Sequence, residues 1–325
     1  SAHGTNPATA AFCGYKVEGI PAADDGKIDV EAVIERLGPH VAGVMITNPN
    51  TCGLFERDFK KIADAVHDAG GYVYCDGANF NAIVGRVRPG DLGVDAMHIN
   101  LHKTFSTPHG GGGPGSGPTV FSQALAPYAP LPTVEKRDEG FVLIEEESAA
   151  QSAPESFGRM TAFHGQMGMF TRALAYILSH GADGLRQVSG DAVLSANYIL
   201  RSLEDVLDAP YGPHGPCMHE ALFSDEGFGC DLSTLDLAKG LIDEGYHPMT
   251  VYFPLVVQGA MLVEPTETES KESLDEFIGA FRSVAQRAKA GDETLKNAPY
   301  HAPRKRVDET GAARNPRLRW ETPEA

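Results

Sequence analysis

Two single charged residues, Asp76 and Lys103, stand out because each closes a short apolar stretch of the sequence. Asp76 follows "YVYC" at 72–75, and Lys103 ends "DAMHINLHK" at 95–103. A lysine amine in a pocket at the end of a strand either binds phosphate as a point charge or forms a Schiff base. The nearby aspartate favours the second chemistry.

Pyridoxal 5'-phosphate (PLP) requires both side chains, a lysine for its aldehyde and a carboxylate for its ring nitrogen. The carboxylate keeps the pyridine protonated, so that the ring accepts electrons from a carbanion on the substrate. Asn48, in "TNPN" after the preceding apolar run, is placed to reach the phenolic oxygen of the cofactor. Taken singly, an aspartate at a strand end is usually a turn or cap residue, and a lysine is usually solvated. Their joint placement favours the PLP site.

The glycine run Gly110–Gly113 admits a rival interpretation as a phosphate-binding P-loop. That motif needs a lysine after the glycines and a helix beyond it. Here Lys103 precedes the glycines, and Pro114 and Pro118 interrupt any helix that follows, so the P-loop is rejected. The glycines are expected to permit positive φ and close approach of the backbone to a bound group, with a plain tight loop as the alternative.

A strand–helix–strand pattern positions these residues. The run "VAGVMI" at 41–46 is apolar at nearly every position and predicts a strand buried on both faces. A helix is predicted over 56–71, with Phe59, Ile62, Ala63 and Val66 on its buried face and Gly70 and Gly71 at its end. Strands are predicted at 72–76 and 95–103, with no helix between them. Since ligands bind beyond the carboxyl ends of parallel strands, Asp76 and Lys103 are expected in one crevice.

His102 is ambiguous on this pattern. Strict alternation along a strand to residue 103 puts His98, Asn100 and His102 on the face opposite Lys103. Alternation alone therefore does not favour a cofactor role for His102.

The rest of the chain predicts a second, smaller unit. Residues 122–155 are expected to form surface loops, and 160–203 two helices broken near Gly181. From residue 206 onward, short strands within "HEALFS", "VYFPLVV" and "AMLVEP" alternate with helices around 234–244 and 271–289. We divide the chain into residues 1–205, the remainder of a large α/β domain with connecting helices, and 206–325, a smaller α+β domain with its tail.

Composition excludes several classes of partner. The net charge is −17, with 44 acidic residues against 27 lysines and arginines, so nucleic acid and anionic membrane surfaces are not expected to bind. The five cysteines are scattered and never spaced as C-x-x-C, which argues against a zinc site and for reduced thiols. We expect no metal, and a location in the cytoplasm, or in the mitochondrial matrix of a eukaryote.

Longer motifs carry a family resemblance. They are "SAHGTNPATA", "ITNPNTCGLFE", "CDGANFNAIVG", "RPGDLGVDAMHINLHKTFSTPHGGGGPGSGP", "HPMTVYFPL", "VEPTETESKESLDEF" and the closing "NAPYHAPRKRVDETGAARNPRLRW". Together they resemble the PLP-dependent glycine decarboxylases, the P-proteins of the glycine cleavage system, nearly from end to end. The resemblance implies a fold type I, aminotransferase-like large domain, N-terminally truncated, and the C-terminal part of the catalytic half, or subunit 2, of a P-protein.

The resemblance also implies roles for individual residues. Lys103 matches the lysine that holds PLP as a Schiff base, and Asp76 matches the partner of the pyridine nitrogen. Ala78 is then expected beneath the ring, His102 near the phosphate and His3 beside the cofactor. The implied reaction decarboxylates glycine and passes the aminomethyl group to the lipoyl group of H-protein. The other P-protein half or subunit, in an oligomer built on homo- or heterodimers, is a further implied partner.

Two alternatives stay open at the level of sequence. Another fold type I PLP enzyme, an aminotransferase or an amino-acid decarboxylase, would share Asp76 and Lys103. A non-catalytic scaffold half of the complex is the second alternative, and the presence of Lys103 argues against it.

Overall fold

The computed structural model describes residues 2–107, 114–320 and 322, and its first part is built on a four-stranded sheet. The strand order is β1-β2-β3-β4, with the first three strands parallel and β4 antiparallel to β3. The bounds are Gly43–Thr47 (β1), Tyr72–Gly77 (β2), Ala96–Ile99 (β3) and Thr119–Phe121 (β4). The predicted mainly parallel sheet is confirmed.

Helices flank this sheet, and the one between β1 and β2 is the predicted helix. Two short helices, Thr5–Phe12 (α1) and Val30–Ile34 (α2), precede β1, and Phe59–Asp68 (α3) connects β1 to β2. The buried residues of α3 are the predicted ones: Phe59, Ile62, Ala63 and Val66. Gly70 follows the helix with a φ of +84°, a conformation that glycine adopts without steric cost. The amphipathic pattern therefore fixed both the face and the end of α3.

The third strand is shorter than predicted, and this changes the position of Lys103. The strand ends at Ile99, and Leu101–Thr104 form a short helix (α4). The chain leaves the sheet here because the Leu101 N–H bonds to the Ser116 carbonyl and the Lys103 N–H to the Asn100 carbonyl. The prediction that Lys103 and His102 lie on a strand is wrong. Strand alternation consequently says nothing about the direction of either side chain.

Two other expectations for this region are corrected. The connection between β2 and β3 contains short 3₁₀ helices at Phe80–Ala82 and Pro89–Leu92, where no helix was expected. Residues 122–155 form more than loops, because Thr133–Arg137 (β5) and Gly140–Ile144 (β6) pair as an antiparallel hairpin and Glu146–Ser152 (α5) follows. Of the acidic residues that suggested loops, Glu135 lies on an exposed position of β5, and Glu146 and Glu147 lie in the first turn of α5.

A long helix leads into the second part of the chain. It spans Met167–Leu203 (α6) and is interrupted at Gly181, whose φ of 62° and ψ of −174° are not helical, as the predicted break requires. The later elements form a small α+β unit with sheet order β7-β9-β8. They are Ala221–Phe223 (β7), Thr234–Asp243 (α7), Thr250–Val251 (β8), Met261–Val263 (β9), Lys271–Lys289 (α8) and Glu309–Arg314 (α9).

The predicted helices and strands of this second unit are confirmed, except that "VYFPLVV" contributes only Val251 to a strand, β8, and the chain then turns at Pro254. The end of α6 shares its core, since Ile199 and Leu203 pack with Phe223 and Phe281. The division at residues 205 and 206 remains our proposal. Within the described part of the chain, no helix combines the length and the apolar character needed to cross a membrane.

The loop after β1 connects the two units close to the predicted site. Cys52 and Leu54 pack in one apolar cluster with Leu222 and Leu262 of the C-terminal sheet. At Gly53, whose φ is +71°, a Cβ atom would lie 2.2 Å from a backbone carbonyl of the segment that leads into β7. Glycine is therefore required for this close approach.

Candidate active site

Asp76 lies at the carboxyl end of β2, where the parallel register brings polar side chains together. It is paired with Thr47 at the end of β1 and with His98 near the end of β3. Its carboxylate is buried (2% exposed) and accepts four hydrogen bonds. The donors are His3 Nδ1 (2.8 Å), Asn6 Nδ2 (3.2 Å), Thr47 Oγ1 (3.3 Å) and the Ala78 N–H (2.9 Å). His98 Nε2 lies a further 3.3 Å from Oδ1.

These contacts determine the charge of Asp76. Burial by itself raises the pKa of a carboxyl group, but the hydrogen bonds from His3 and the Ala78 N–H, together with the charges of His3 and His98, lower the pKa of Asp76 to about 2. The site therefore contains a carboxylate that is ionised at every physiological pH, as a partner for a protonated ring nitrogen must be.

A pH dependence of stability follows from this pKa. Because the folded-state pKa of Asp76 lies below the ordinary value of 3.8, its contribution is present above about pH 4 and is lost as the pH falls toward 2. The shift corresponds to about 2 kcal/mol. We expect the free energy of unfolding to fall by about that much more in the wild type than in Asp76→Asn between pH 5 and pH 2, measured by denaturant titration. Parallel pH profiles for the two proteins would contradict the assigned charge.

Lys103 lies on α4, four residues beyond the end of β3 and at the same edge of the sheet as Asp76. Its side chain is exposed, and within the described ranges no hydrogen bond or ion pair joins it to Asp76. Its positive charge acts instead on His219, Glu220 and Glu264, whose pKa values it lowers. The amine thus faces the C-terminal unit across the edge of the sheet.

His3 and Ala78 are brought to Asp76, as their predicted roles require. The imidazole of His3 is stacked on Phe253, with ring centroids 6.0 Å apart and planes 5° from parallel. Ala78 is buried and contacts the carboxylate through its backbone N–H. Their contact with a cofactor remains a prediction.

Asn48 and His102 have structural roles of their own. The side-chain carbonyl of buried Asn48 accepts the Glu56 N–H at 3.1 Å, which holds the loop after β1. His102 Nδ1 accepts the Ser116 N–H at 3.1 Å, which anchors the segment before β4. For both residues the predicted cofactor contact is untested. Gly110–Gly113, expected to approach a bound group, lie outside the described residues.

Sequence reasoning missed several members of the site. Asn6, Thr47 and His98 contact Asp76, and His219, Glu220 and Glu264 face Lys103. A usable signal was present for four of them, because Thr47, His219, Glu220 and Glu264 border short apolar strands as Asp76 does. Asn6 comes from a separate helix, so no local pattern connects it to β2.

The residues present fit PLP. The carboxylate of Asp76 already accepts a hydrogen bond from one nitrogen heterocycle, the imidazole of His3, and has the charge to accept one from a pyridinium. The Lys103 amine lies at the same edge of the sheet. Two hydroxyl groups beside it, those of Thr104 and Thr107, are buried and have no hydrogen-bond partner in the described ranges, so they offer donors to an anionic group. This set matches the aldehyde, ring nitrogen and phosphate that PLP presents.

The sheet topology, with a buried aspartate after one strand and a lysine after the next, is that of the fold type I PLP-dependent enzymes. The model of the aminotransferase class-V family matches residues 3–187, more than half of the chain, and the chain belongs to this family. Residues 188–303 match the model of the glycine dehydrogenase C-terminal domain. The family is PLP-dependent, which confirms the predicted cofactor at the level of the family.

Curated relatives agree with the resemblance found in the sequence. The chain is 67% identical over 322 residues to a probable glycine dehydrogenase (decarboxylating) subunit 2 of Caulobacter vibrioides, covering 98% of this chain and 61% of that protein. It is 50% identical over 324 residues to the protein of the same description from Alkaliphilus oremlandii, covering 99% and 64%. The chain thus spans about three fifths of the length of these relatives.

A solved structure shares the fold at lower identity. It is the crystal structure of a glycine decarboxylase (P-protein) of the glycine cleavage system in inhibitor-bound form, with a TM-score of 0.71 and 22% identity, covering 87% of this chain and 64% of that one. A cysteine desulfurase from Thermococcus onnurineus has a TM-score of 0.62 and 18% identity, covering 85% and 68%. At these identities the likeness shows the fold alone.

Proposed function

We propose that the protein to which this chain belongs is the PLP-bearing catalytic subunit of a glycine decarboxylase. In this proposal it decarboxylates glycine and transfers the aminomethyl group to the lipoyl group of an H-protein. The observation that carries the proposal is the buried, ionised Asp76 at the sheet edge that also presents Lys103. The descriptions of the relatives and the match of residues 188–303 support glycine as the substrate.

Each residue of the site has a defined task in this proposal. When bound, PLP supplies an electron sink for the electron pair that remains as carbon dioxide leaves the amino acid. Asp76 accepts the hydrogen bond of the ring nitrogen and favours its protonated form. Lys103 supplies the amine that bonds to the aldehyde. We propose Ala78 beneath the ring, His3 at its side, His102 toward the phosphate and Asn48 toward the phenolic oxygen.

The proposed partners follow from the same reaction. They are glycine, a lipoylated H-protein, the other P-protein half or subunit, and a second copy in an oligomer based on dimers. The curated relatives reported above are bacterial, and we place the reaction in the cytoplasm.

Exchange of labelled bicarbonate into the carboxyl group of glycine tests the proposal. We expect the full-length protein, assembled with its partner subunit and PLP, to catalyse this exchange only when lipoylated H-protein is present. The reversal of decarboxylation needs the same electron sink and the same lysine as the forward reaction. The control is H-protein whose lipoyl-bearing lysine is left unmodified, with which we expect little exchange.

Two other outcomes of this experiment would indicate a different function. Decarboxylation or amino transfer with another amino acid, and none with glycine, would make the protein a different fold type I enzyme. A properly assembled protein that binds no PLP at all would make it a scaffold subunit. Both results would overturn the proposal.

A further inference from the structure

A group of three titratable side chains lies at the edge of the C-terminal sheet. His219 and Glu220 immediately precede β7, and Glu264 immediately follows β9. Because Ala221 pairs with Val263 in the antiparallel register, the next pair along the two strands is Glu220 and Glu264. One oxygen of each carboxyl group and one ring nitrogen of His219 lie within 4.8 Å of one another. The sheet backbone holds the two carboxyl groups side by side.

The hydrogen-bonding capacity of this cluster is largely unused. His219 Nε2 is 3.5 Å from Glu220 Oε2 and 3.8 Å from Glu264 Oε1, distances too long for good hydrogen bonds. Both ring nitrogens of His219 and Oε2 of Glu220 are buried and have no partner in the described parts of the chain. Buried polar atoms in folded proteins are almost always paired, so unpaired ones in a cluster indicate a functional site. The cluster is accessible to solvent at Glu264, whose side chain is 41% exposed.

The pKa values of the two carboxyl groups depend on burial, on each other and on neighbouring residues. Burial, followed by the negative charge of Glu264, raises the pKa of Glu220 well above its ordinary value. Burial also raises the pKa of Glu264, and the nearby charge of Glu267 adds to this, while a hydrogen bond from Asn81 opposes it. Lys103 lowers the pKa of both groups.

His219 does not neutralise the pair. Complete burial, and secondly the charge of Lys103, lower the pKa of His219 to about 3, so the imidazole is neutral at physiological pH. Two adjacent carboxyl groups in such a site cannot both ionise without strong mutual repulsion. Since His219 is neutral, the positive charge that acts on both carboxyl groups is that of Lys103.

We propose that Glu220 and Glu264 share a single proton and exchange protons with the amine of Lys103 while it forms its Schiff base. This rests on the proposed function of Lys103. The pair has one site free and accepts a proton from the ammonium group, which frees the nitrogen lone pair to attack an aldehyde carbon. The C–N bond forms as the carbonyl π bond breaks, and a second proton of the former ammonium group passes from nitrogen to the carbonyl oxygen. When the C–O bond then breaks, the pair returns its proton to the departing hydroxyl group, which leaves as water. Both carboxyl groups act through Lys103.

Infrared spectroscopy of the full-length protein without PLP tests the shared proton. At neutral pH we expect a carbonyl stretch from an un-ionised carboxyl group, identified in wild-type-minus-variant spectra. Its pH midpoint should fall in Glu220→Gln and also in Glu264→Gln, because the remaining carboxyl group no longer has a charged neighbour. Glu267→Gln, adjacent in space but outside the pair, should retain the band. Glu56 is another buried carboxyl group whose pKa is raised by burial, so Glu56→Gln shows whether Glu56 contributes to the band.

The Lys103→Met variant tests the coupling between Lys103 and the Glu220–Glu264 pair. In Lys103→Met the cation that favours the ionised pair is gone, so we expect the band to persist to higher pH than in the wild type. With PLP added, the rate of Schiff-base formation at Lys103, followed by absorbance, should fall on the order of a hundredfold in the Glu220→Gln/Glu264→Gln double variant. Circular dichroism confirms that each variant is folded.

Several results would overturn this assignment. A band with the same pH midpoint in Glu264→Gln as in the wild type would mean that burial of Glu220 alone holds the proton. An unchanged pH midpoint of the band in Lys103→Met would show that Lys103 is not coupled to the Glu220–Glu264 pair. One divalent cation bound per protein at this cluster, in place of the proton, would also overturn the proposal. A wild type that shows the shared proton yet never reacts with PLP would overturn the proposed function, leaving the shared proton in place.

Discussion

Replacing Lys103 with alanine is expected to abolish glycine–bicarbonate exchange in the assembled protein while leaving its fold intact. The amine is the group that bonds to the aldehyde, and Lys103 lies at the same edge of the sheet as Asp76. The side chain is exposed on α4, so its truncation leaves no cavity in the core. Exchange activity and the unfolding curve of the purified variant are the two measurements.

A matched control separates chemistry from charge. Lys61 is an exposed lysine on α3, and its ammonium group forms an ion pair with Glu31. Lys61→Ala should keep full activity, since exposed ion pairs contribute little to stability. Appreciable exchange by Lys103→Ala in the absence of added amines would mean that another residue forms the Schiff base.

Asp76→Asn is expected to lower the exchange rate by on the order of 10²–10³, the usual effect of removing one preorganised electrostatic partner. The amide preserves the volume of the side chain but carries no charge, so it does not favour a protonated ring nitrogen. It also disturbs the contacts from His3 and Asn6, which now donate to a carboxylate oxygen. Rates measured at saturating PLP separate the loss of catalysis from weaker cofactor binding.

Asp95→Asn provides the comparison for this variant. Asp95 is also a buried aspartate of the same sheet, paired with His67 at 2.7 Å, but it precedes β3 and so lies at the opposite end of the strands. We expect it to lose stability and to retain its rate once folded. A normal rate for Asp76→Asn would show that Asp76 is only a residue of the turn after β2.

Local patterns were sufficient for the elements that position Asp76. The apolar runs before it and the helical spacing of the α3 residues depend on burial periodicity, which is written in the sequence. The end of β3 was not predictable in this way. It depends on hydrogen bonds between α4 and Ser116, more than a dozen positions further along, so the strand signal continued to Lys103 although the strand itself stops at Ile99.

The same limit explains which parts of the site were found. Asp76 and Lys103 each carry a local signal, a charge after an apolar run. Glu220 and Glu264 are 44 positions apart and become neighbours only through the register of β7 with β9. Asn6 and His3 reach Asp76 from α1 and the residues before it. Such contacts require knowledge of which strands pair and how the helices pack.

Borohydride reduction of the PLP-loaded, full-length protein, followed by peptide mapping, tests the central claim most directly. Reduction converts the Schiff base to a stable secondary amine, so the modified lysine is identified by mass. We expect one equivalent of pyridoxyl label on the peptide that contains "NLHKTF", at Lys103, and none on that peptide without PLP. Label on a different lysine, or no label on a protein that turns over glycine, would contradict it.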